Sequence, residues 1–495
     1  MQNPAQRMTG WRGMTYTNDG LSSDSCRLGD RVMTLSRRHV LGAAALPFLP
    51  KPASAADFVS VTLDTGARLG AIPADFMGLG YEISSVAVPG LLSDKNSTYL
   101  RLIQNFRTPG VIRIGGNTSD YASYDARGEA KSLPKGTMVN EASLRELRGF
   151  LDAIGWRLIW GLNLGADKLD NAMDEARAVA AIMGDKLIAL EIGNEPDLFP
   201  NQGHRSRAYD FAMYLSDYRR FKAAIRGVLP RVPFAGPDVA GAVDWFEQFS
   251  RQEGDIALLT AHHYITGQAN PAATIETMVA PNTRYRSSLA RFQAAAKLAR
   301  KPWRMCETAS FSGGGKAGVS DTFAAALWSL DYLFELANFS CAGVNMQTGV
   351  NQLGWISRYS PIADDMKGNY SAAPEYYGLL AFSLAGRGEM MVSRCAPGLV
   401  NLTAYATRQF RNTACIAIIN KDQYRDATVT IRGASAREAQ LMRLTAPSLT
   451  ATGEITLGGA SVNKAGFWSG KRDRIRLEGG VAVPAASAAL VWFKV

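Results

Sequence analysis

The sequence predicts an α/β fold: a (β/α)8 TIM barrel with an antiparallel β-sandwich as second domain. Three observations carry this. Between residues 75 and 386, eight short apolar runs alternate with stretches of helix-like apolar spacing. Several of these runs are apolar throughout, as strands buried on both faces must be. Beyond residue 386 the texture changes to short alternating runs separated by Gly, Asp, Asn and Pro, which reads as a sandwich of hairpins.

The first 55 residues read as an extension plus an export signal. Ser36, Arg37, Arg38, His39, Val40 and Leu41 form a twin-arginine pattern, an apolar run follows at 40–49, and Ala53, Ser54 and Ala55 offer a small-residue cleavage site. That run is too short to span a bilayer, which takes about 20 apolar residues. The expected destination is periplasmic or secreted, without membrane insertion once the signal is removed.

At 58–64, Val59, Val61 and Leu63 alternate with polar residues, giving a strand ahead of the barrel. It is expected to join the C-terminal sheet, so the second domain comprises 56–74 plus 387–495. The barrel strands are expected at 76–82, 111–117, 157–165, 187–195, 233–238, 257–264, 302–308 and 343–348. Helices are expected at 141–153, 172–183, 207–228, 285–299 and 322–337. The sandwich strands follow at 391–395, 399–406, 414–420, 427–432, 439–445 and 488–495.

The bulk numbers exclude several classes. The 495-residue chain is 47% hydrophobic and 20% charged, with a formal charge of +10. Seven Lys/Arg against three Asp/Glu in the first 55 residues leave +6 for the rest. No basic run interleaved with aromatics occurs, so nucleic acid is not an expected partner. Four histidines, and no His-Glu-x-x-His, argue against a zinc hydrolase, and no metal or cofactor is expected. The cysteines show no close-spaced pairs, although a Cys395–Cys415 bridge is chemically allowed in an oxidising compartment.

The chemistry is expected at two strand tips. The fourth barrel run meets Asn194, Glu195 and Pro196, and proline cannot continue a ladder, so Glu195 stands at a C-terminal tip. Glu307 stands at the tip of the seventh. Barrel enzymes keep catalytic residues at these tips. Two carboxyl groups about 5–5.5 Å apart perform retaining glycoside hydrolysis, one as acid/base and one as nucleophile. Close carboxylates repel, so one holds its proton near neutral pH. Spacing alone does not say which. Asn194 can reach a hydroxyl beside the reacting carbon.

The stretches at 191–199 (EIGNEPDLF), 113–119 (RIGGNTS), 261–264 (AHHY) and 312–322 (SGGGKAGVSDT), with Glu307 upstream of the last, resemble glycoside hydrolase family 79, the β-glucuronidase and heparanase group in the clan of retaining (β/α)8 glycosidases. The resemblance implies hydrolysis of β-linked glucuronic acid in a glucuronide or uronic-acid-containing glycan, with Glu195 as acid/base and Glu307 as nucleophile. It implies that Tyr264 holds the Glu307 carboxylate. Of the adjacent His262 and His263, which face opposite sides, one is a candidate to touch sugar hydroxyls, and we assign it as His262. Family members carry a tyrosine five residues after the nucleophile. This chain has Ser312 there, which leaves Lys316 or Tyr359 to compensate.

The glycine run with Lys316 lacks the spacing of a nucleotide phosphate loop. The amides of Gly313 and Gly314 suit the sugar carboxylate instead. Glu82 and Asn117, at the tips of strands one and two, are candidates for non-reacting hydroxyls; Asp120 and Gln347 are further ones, and Trp160 and Trp355 are candidates to stack against a ring. Two alternatives stay open: a related retaining glycosidase for a neutral sugar, of β-xylosidase or arabinosidase type, and a non-catalytic carbohydrate-binding barrel.

Overall fold

In the computed structural model, which describes residues 56–349 and 357–495, the eight barrel strands are Met77–Glu82, Val111–Gly115, Arg157–Leu162, Leu187–Ile192, Ala235–Val239, Leu258–Gly267, Trp303–Ser312 and Val344–Gln347. We number them one to eight. All their pairings are parallel, and the eighth strand pairs with the first. The fourth and fifth meet through Leu190 N–H donating to Pro233 O at 2.9 Å, which closes the ring. The twin-arginine segment lies outside the described residues, as does Trp355.

Helices fall close to their expected places, at Glu141–Ile154, Leu169–Met183, Phe211–Val228, Thr283–Ala299 and Phe323–Asn338. Glu141–Ile154 starts at Asn140, whose side chain accepts from Ser143 N–H while the Ser143 hydroxyl takes the Asn140 N–H, a reciprocal cap. It stops at Gly155, whose φ of 72° suits a residue without a Cβ. The three longest helices not named from the sequence are Ser97–Gln104, Val243–Gln252 and Pro374–Ala385. The last is buried almost all round, so it carries no amphipathic period to read.

The second domain is a ten-stranded sheet. Its first strand is Asp57–Ala71, which pairs antiparallel with Glu389–Ala396 and parallel with Ala427–Arg432. That parallel pair departs from the expected all-antiparallel arrangement. The other pairings of this sheet are antiparallel. Period two then divides the faces. Along Thr413–Asn420, Ala414, Ile416 and Ile418 pack into the sheet's own core, whereas Cys415, Ala417 and Ile419 belong to the core shared with the barrel. The same alternation separates Cys395 from Cys415. Cys395 packs against the sheet's own core and Cys415 faces the barrel, so both thiols are free.

Helix Phe323–Asn338 lies between the barrel and this sheet. Tyr405 stacks on Phe334 at 5.1 Å, and Thr403, Tyr405 and Lys421 from the sheet all bond Asp331 on the helix.

Helix Pro374–Ala385 carries an expense at Glu375, which is 1% exposed and has no hydrogen-bond partner for either carboxylate oxygen among the described residues. Burial pushes its pKa well above the ordinary 4.5. Below pH 4.5 both folded and unfolded chains hold the proton. Above it the unfolded chain ionises and the folded chain resists, so stability falls as pH rises, by about 1.4 kcal/mol per unit while the two differ. Glu375→Gln is therefore expected to melt at a higher temperature than the parent at pH 7–8 and at the same temperature at pH 4, as followed by circular dichroism.

Candidate active site

The turn after strand four is tight. The strand ends at Ile192, Gly193 takes a φ of 84°, and Glu195 itself is left-handed at φ 52°, ψ 53°. That conformation costs a non-glycine residue roughly 1–3 kcal/mol and is found where function demands it. Its N–H donates to Asp238 O at 2.9 Å, and Pro196 opens a 3-10 turn in which Leu198 N–H donates to Glu195 O at 2.8 Å. Asp120 braces the same turn. Its buried carboxylate accepts from Asn194 N–H at 2.9 Å, Leu164 N–H at 3.0 Å and Gly165 N–H at 2.8 Å. Burial still raises its pKa to about 7, against these three donors.

Glu307 is presented differently. Strand seven runs on to Ser312, past its expected end at 308, and its pairing with strand six slips between Met305 and Glu307. Such a bulge puts two consecutive side chains on one face. Cys306 packs inside the barrel with Val111, Ile159 and Ala189, and Glu307 points inward just above it.

The two carboxyl groups meet. Glu195, His262 and Glu307 each offer a ligand atom within 4.8 Å of the others, so the nearest Glu195 and Glu307 oxygens are no further apart than that. This is the spacing of a retaining pair; an inverting pair leaves about 6.5–9.5 Å for a water. Glu307 Oε1 accepts from the Tyr264 hydroxyl at 2.7 Å and Oε2 from Arg113 Nη1 at 2.9 Å. Burial raises the pKa of Glu195, with the Glu307 charge adding to it and His262 opposing it. A carboxyl held protonated this way is a general acid.

Beneath the pair lies a charged layer that the sequence reading missed. Arg113, wholly buried, donates to Glu191 Oε2 and Asn194 Oδ1 at 2.9 Å each, to Glu307, and to Asp238. Asp238 in turn meets His262 Nε2 at 2.8 Å, and His262 Nδ1 meets Glu195 Oε1 at 3.1 Å. Arg113 and His262 hold the Asp238 carboxyl down at about 2 in spite of its burial. The signal for this layer was a lone charge in each of three apolar strands. A barrel strand has no watery face, so such a charge must find a partner inside. Glu191, Asp238 and Cys306 also converge within 4.8 Å, as metal ligands do, but the Arg113 guanidinium already supplies a cation to both carboxylates.

A cleft of about 630 Å³ opens above, bordered by Glu195, Glu307, Tyr264, Glu82, Asn117 and Tyr359. Ser312, Gly313 and Gly314 border it from the turn after strand seven. Gly313, Gly314 and Gly315 all have positive φ, and a Cβ at Gly315 would sit 2.8 Å from Tyr359 N. Among the described residues no acceptor takes the Gly313 or Gly314 N–H. Glu82 accepts from Thr118 N–H at 2.7 Å and Thr118 Oγ1 at 2.8 Å; burial and the nearby Glu307 charge carry its pKa to about 7.

Three expected site residues do not border the cleft. Asn194 is buried, with its carbonyl oxygen spent on Arg113 rather than directed at a sugar hydroxyl. His262 lies behind Glu195 with both ring nitrogens engaged, so it does not touch sugar hydroxyls. Lys316 lies beyond the glycine turn, its N–H on Ser320 Oγ at 3.0 Å. His263 does face the other way, stacked on Tyr285 at 3.7 Å. Trp160 is a core residue whose indole N–H donates to Glu175 at 2.9 Å.

A closed parallel barrel with paired carboxyl groups on strands four and seven, at this separation, defines a retaining barrel glycosidase. Residues 404–490 match the model of the glycosyl hydrolase family 79 C-terminal beta domain. A β-glucuronidase of Aspergillus niger is 27% identical over 372 residues, covering 67% of each chain. A β-glucuronidase of Neurospora crassa is 25% identical over 448 residues, covering 78% of each. Among solved structures, a 4-O-α-L-rhamnosyl-β-D-glucuronidase from Fusarium oxysporum 12S superposes with a TM-score of 0.69 at 22% identity, over 87% of this chain and 100% of that one. Residues 404–490 thus resemble the C-terminal domain of glycoside hydrolase family 79, and the longer stretches matched by these relatives are similar to β-glucuronidases.

Proposed function

We propose that this enzyme is a retaining β-glucuronidase. The observation that carries the reading is the Glu195–Glu307 pair, with nearest oxygens within 4.8 Å of one another at the base of a sugar-sized cleft. Glu307 attacks the anomeric carbon while Glu195 gives its proton to the leaving oxygen, and a glucuronyl ester forms on Glu307. Glu195, now a carboxylate, takes a proton from water as that water cleaves the ester, which returns both groups to their starting states. The hydrogen bonds from Tyr264 and Arg113 aim the Glu307 carboxylate before the sugar arrives.

The glycine turn supports the uronic acid over a neutral sugar. Gly313 and Gly314 border the cleft beside Ser312 and Tyr359 with amides that no acceptor among the described residues takes, and consecutive amides in a glycine turn form an anion-binding concavity. Glu82 and Asn117 lie where they can take the non-reacting hydroxyls. The test compares kcat/KM for p-nitrophenyl β-glucuronide, β-xyloside and α-arabinofuranoside. The glucuronide is expected to exceed the others by at least about a hundredfold, the scale of a lost buried charge contact. Preference for a neutral sugar overturns the substrate assignment, and no turnover of any of the three overturns the enzymatic reading.

A further inference from the structure

Asp238 touches no part of the cleft, yet it stands between the two catalytic carboxyl groups. One of its oxygens meets Arg113, which also holds Glu307; the other meets His262 Nε2 at 2.8 Å, and His262 holds Glu195. We propose that Asp238 is a positioning residue that acts through His262 to place the exchanging proton of Glu195 on its cleft-facing oxygen. This rests on the reading of Glu195 as acid/base.

Asp238 is 1% exposed and paired with a guanidinium, so it remains a carboxylate and can only accept. His262 Nε2 must therefore carry a hydrogen. The other nitrogen, Nδ1, faces Glu195 Oε1 at 3.1 Å. The groups around the imidazole are overwhelmingly acidic: Glu191, Glu195 and Asp197 from strand four and its turn, Asp238 from strand five, and Glu307 from strand seven. Arg113 on strand two is the nearby cation, Tyr264 lies two residues beyond His262 on strand six, and Cys306 lies below, its thiol held neutral by burial. Burial disfavours an imidazolium, but Asp238 and Glu307 outweigh it and raise the His262 pKa well above 6.5.

Both ring nitrogens then carry hydrogens, and Nδ1–H occupies Glu195 Oε1. The acidic proton of Glu195 is left on Oε2, which no described group holds, in a residue that borders the cleft. The imidazolium also eases ionisation of Glu195 for the second half of the reaction, when it must act as a base.

Asp238→Asn tests this, because it keeps the shape and removes the charge. An asparagine can still accept from Arg113 and donate to Nε2, leaving a neutral imidazole beside Glu195. The Glu195 pKa then rises. The basic limb of the kcat/KM profile is expected to move up by about one pH unit. The loss of kcat/KM is expected to be about fivefold or more greater for methyl β-glucuronide, a poor leaving group, than for p-nitrophenyl β-glucuronide.

His262→Phe provides a second route if the first variant does not fold, and it is expected to move the limb the same way. The double variant should move it no further than either single one. A basic limb that stays in place, or an equal loss on both substrates, overturns the proposal and leaves Asp238 as packing. If the parent enzyme turns over a different glycoside and not the glucuronide, the same profiles are recorded on that glycoside. Failure of the substrate reading is thereby kept apart from failure of this one.

Discussion

Glu307→Gln is expected to lower kcat for an aryl β-glucuronide by roughly 10⁴- to 10⁶-fold, the scale on which loss of a catalytic nucleophile is felt. The fold should survive. Glutamine has the same shape, and the site can satisfy it: the amide oxygen takes the hydrogen bond from Arg113 Nη1, and the amide nitrogen donates to the Tyr264 hydroxyl, which can accept as well as donate. What disappears is the lone pair that forms the ester. One of the charges that raise the Glu195 pKa disappears with it, so Glu195 also becomes a poorer reservoir of protons at neutral pH. Steady-state assays with thermal melts of both proteins read the two effects apart. Retention of more than a few per cent of turnover in a folded variant would remove Glu307 from its role, whatever its distance from Glu195.

The parts of this site that a linear reading finds are those with a local mark. Glu195 is marked by the proline that follows it, although the strand already ends at Ile192, and the glycine turn by three residues free to take positive φ. Strand order followed from counting apolar runs, because barrel strands such as Val111–Gly115 and Ala235–Val239 are buried on both faces. Glu307 had a weaker mark. Its strand continues to Ser312, so it was found at a tip that does not exist, and it faces the cleft because of a bulge that no residue announces.

Asn194 and His262 were assigned to the substrate because both flank catalytic positions. The structure gives the Asn194 side-chain oxygen to Arg113 and its nitrogen to Asn117, and the two His262 ring nitrogens to Asp238 and Glu195. That allocation depends on which side chains meet across four different strands. Periodicity tells which face a residue occupies and not whom it meets there. Helix Pro374–Ala385 was missed for the opposite reason, since burial on all sides erases the period itself.

Arg113→Met is expected to cost about 3–5 kcal/mol of folding stability at neutral pH, a large share of the roughly 5–15 kcal/mol a folded protein has. The side chain is wholly buried and its guanidinium serves Glu191, Asp238 and Glu307, with Asn194 as a fourth partner. Methionine fills the volume and leaves three carboxylates in the barrel interior without their shared cation. Isolated charges there are far more costly than the pair they came from.

The pH dependence separates this from a packing defect. In the parent, Asp238 is held down at about 2, below its ordinary 3.8, so its contribution is present above 3.8 and is lost as pH falls toward 2. Without Arg113 the sign reverses. The stranded carboxyls take pKa values above those of the unfolded chain, and each further pH unit costs stability instead of preserving it. Urea unfolding at pH 5 and pH 8 should therefore show the larger gap between variant and parent at pH 8. An equal gap at both would mean that only shape had been lost. Arg113→Lys should recover part of the stability, because a charge returns. It should recover little activity, because one ammonium on a flexible stem cannot hold Glu307 and Asp238 at fixed angles while also reaching Glu191.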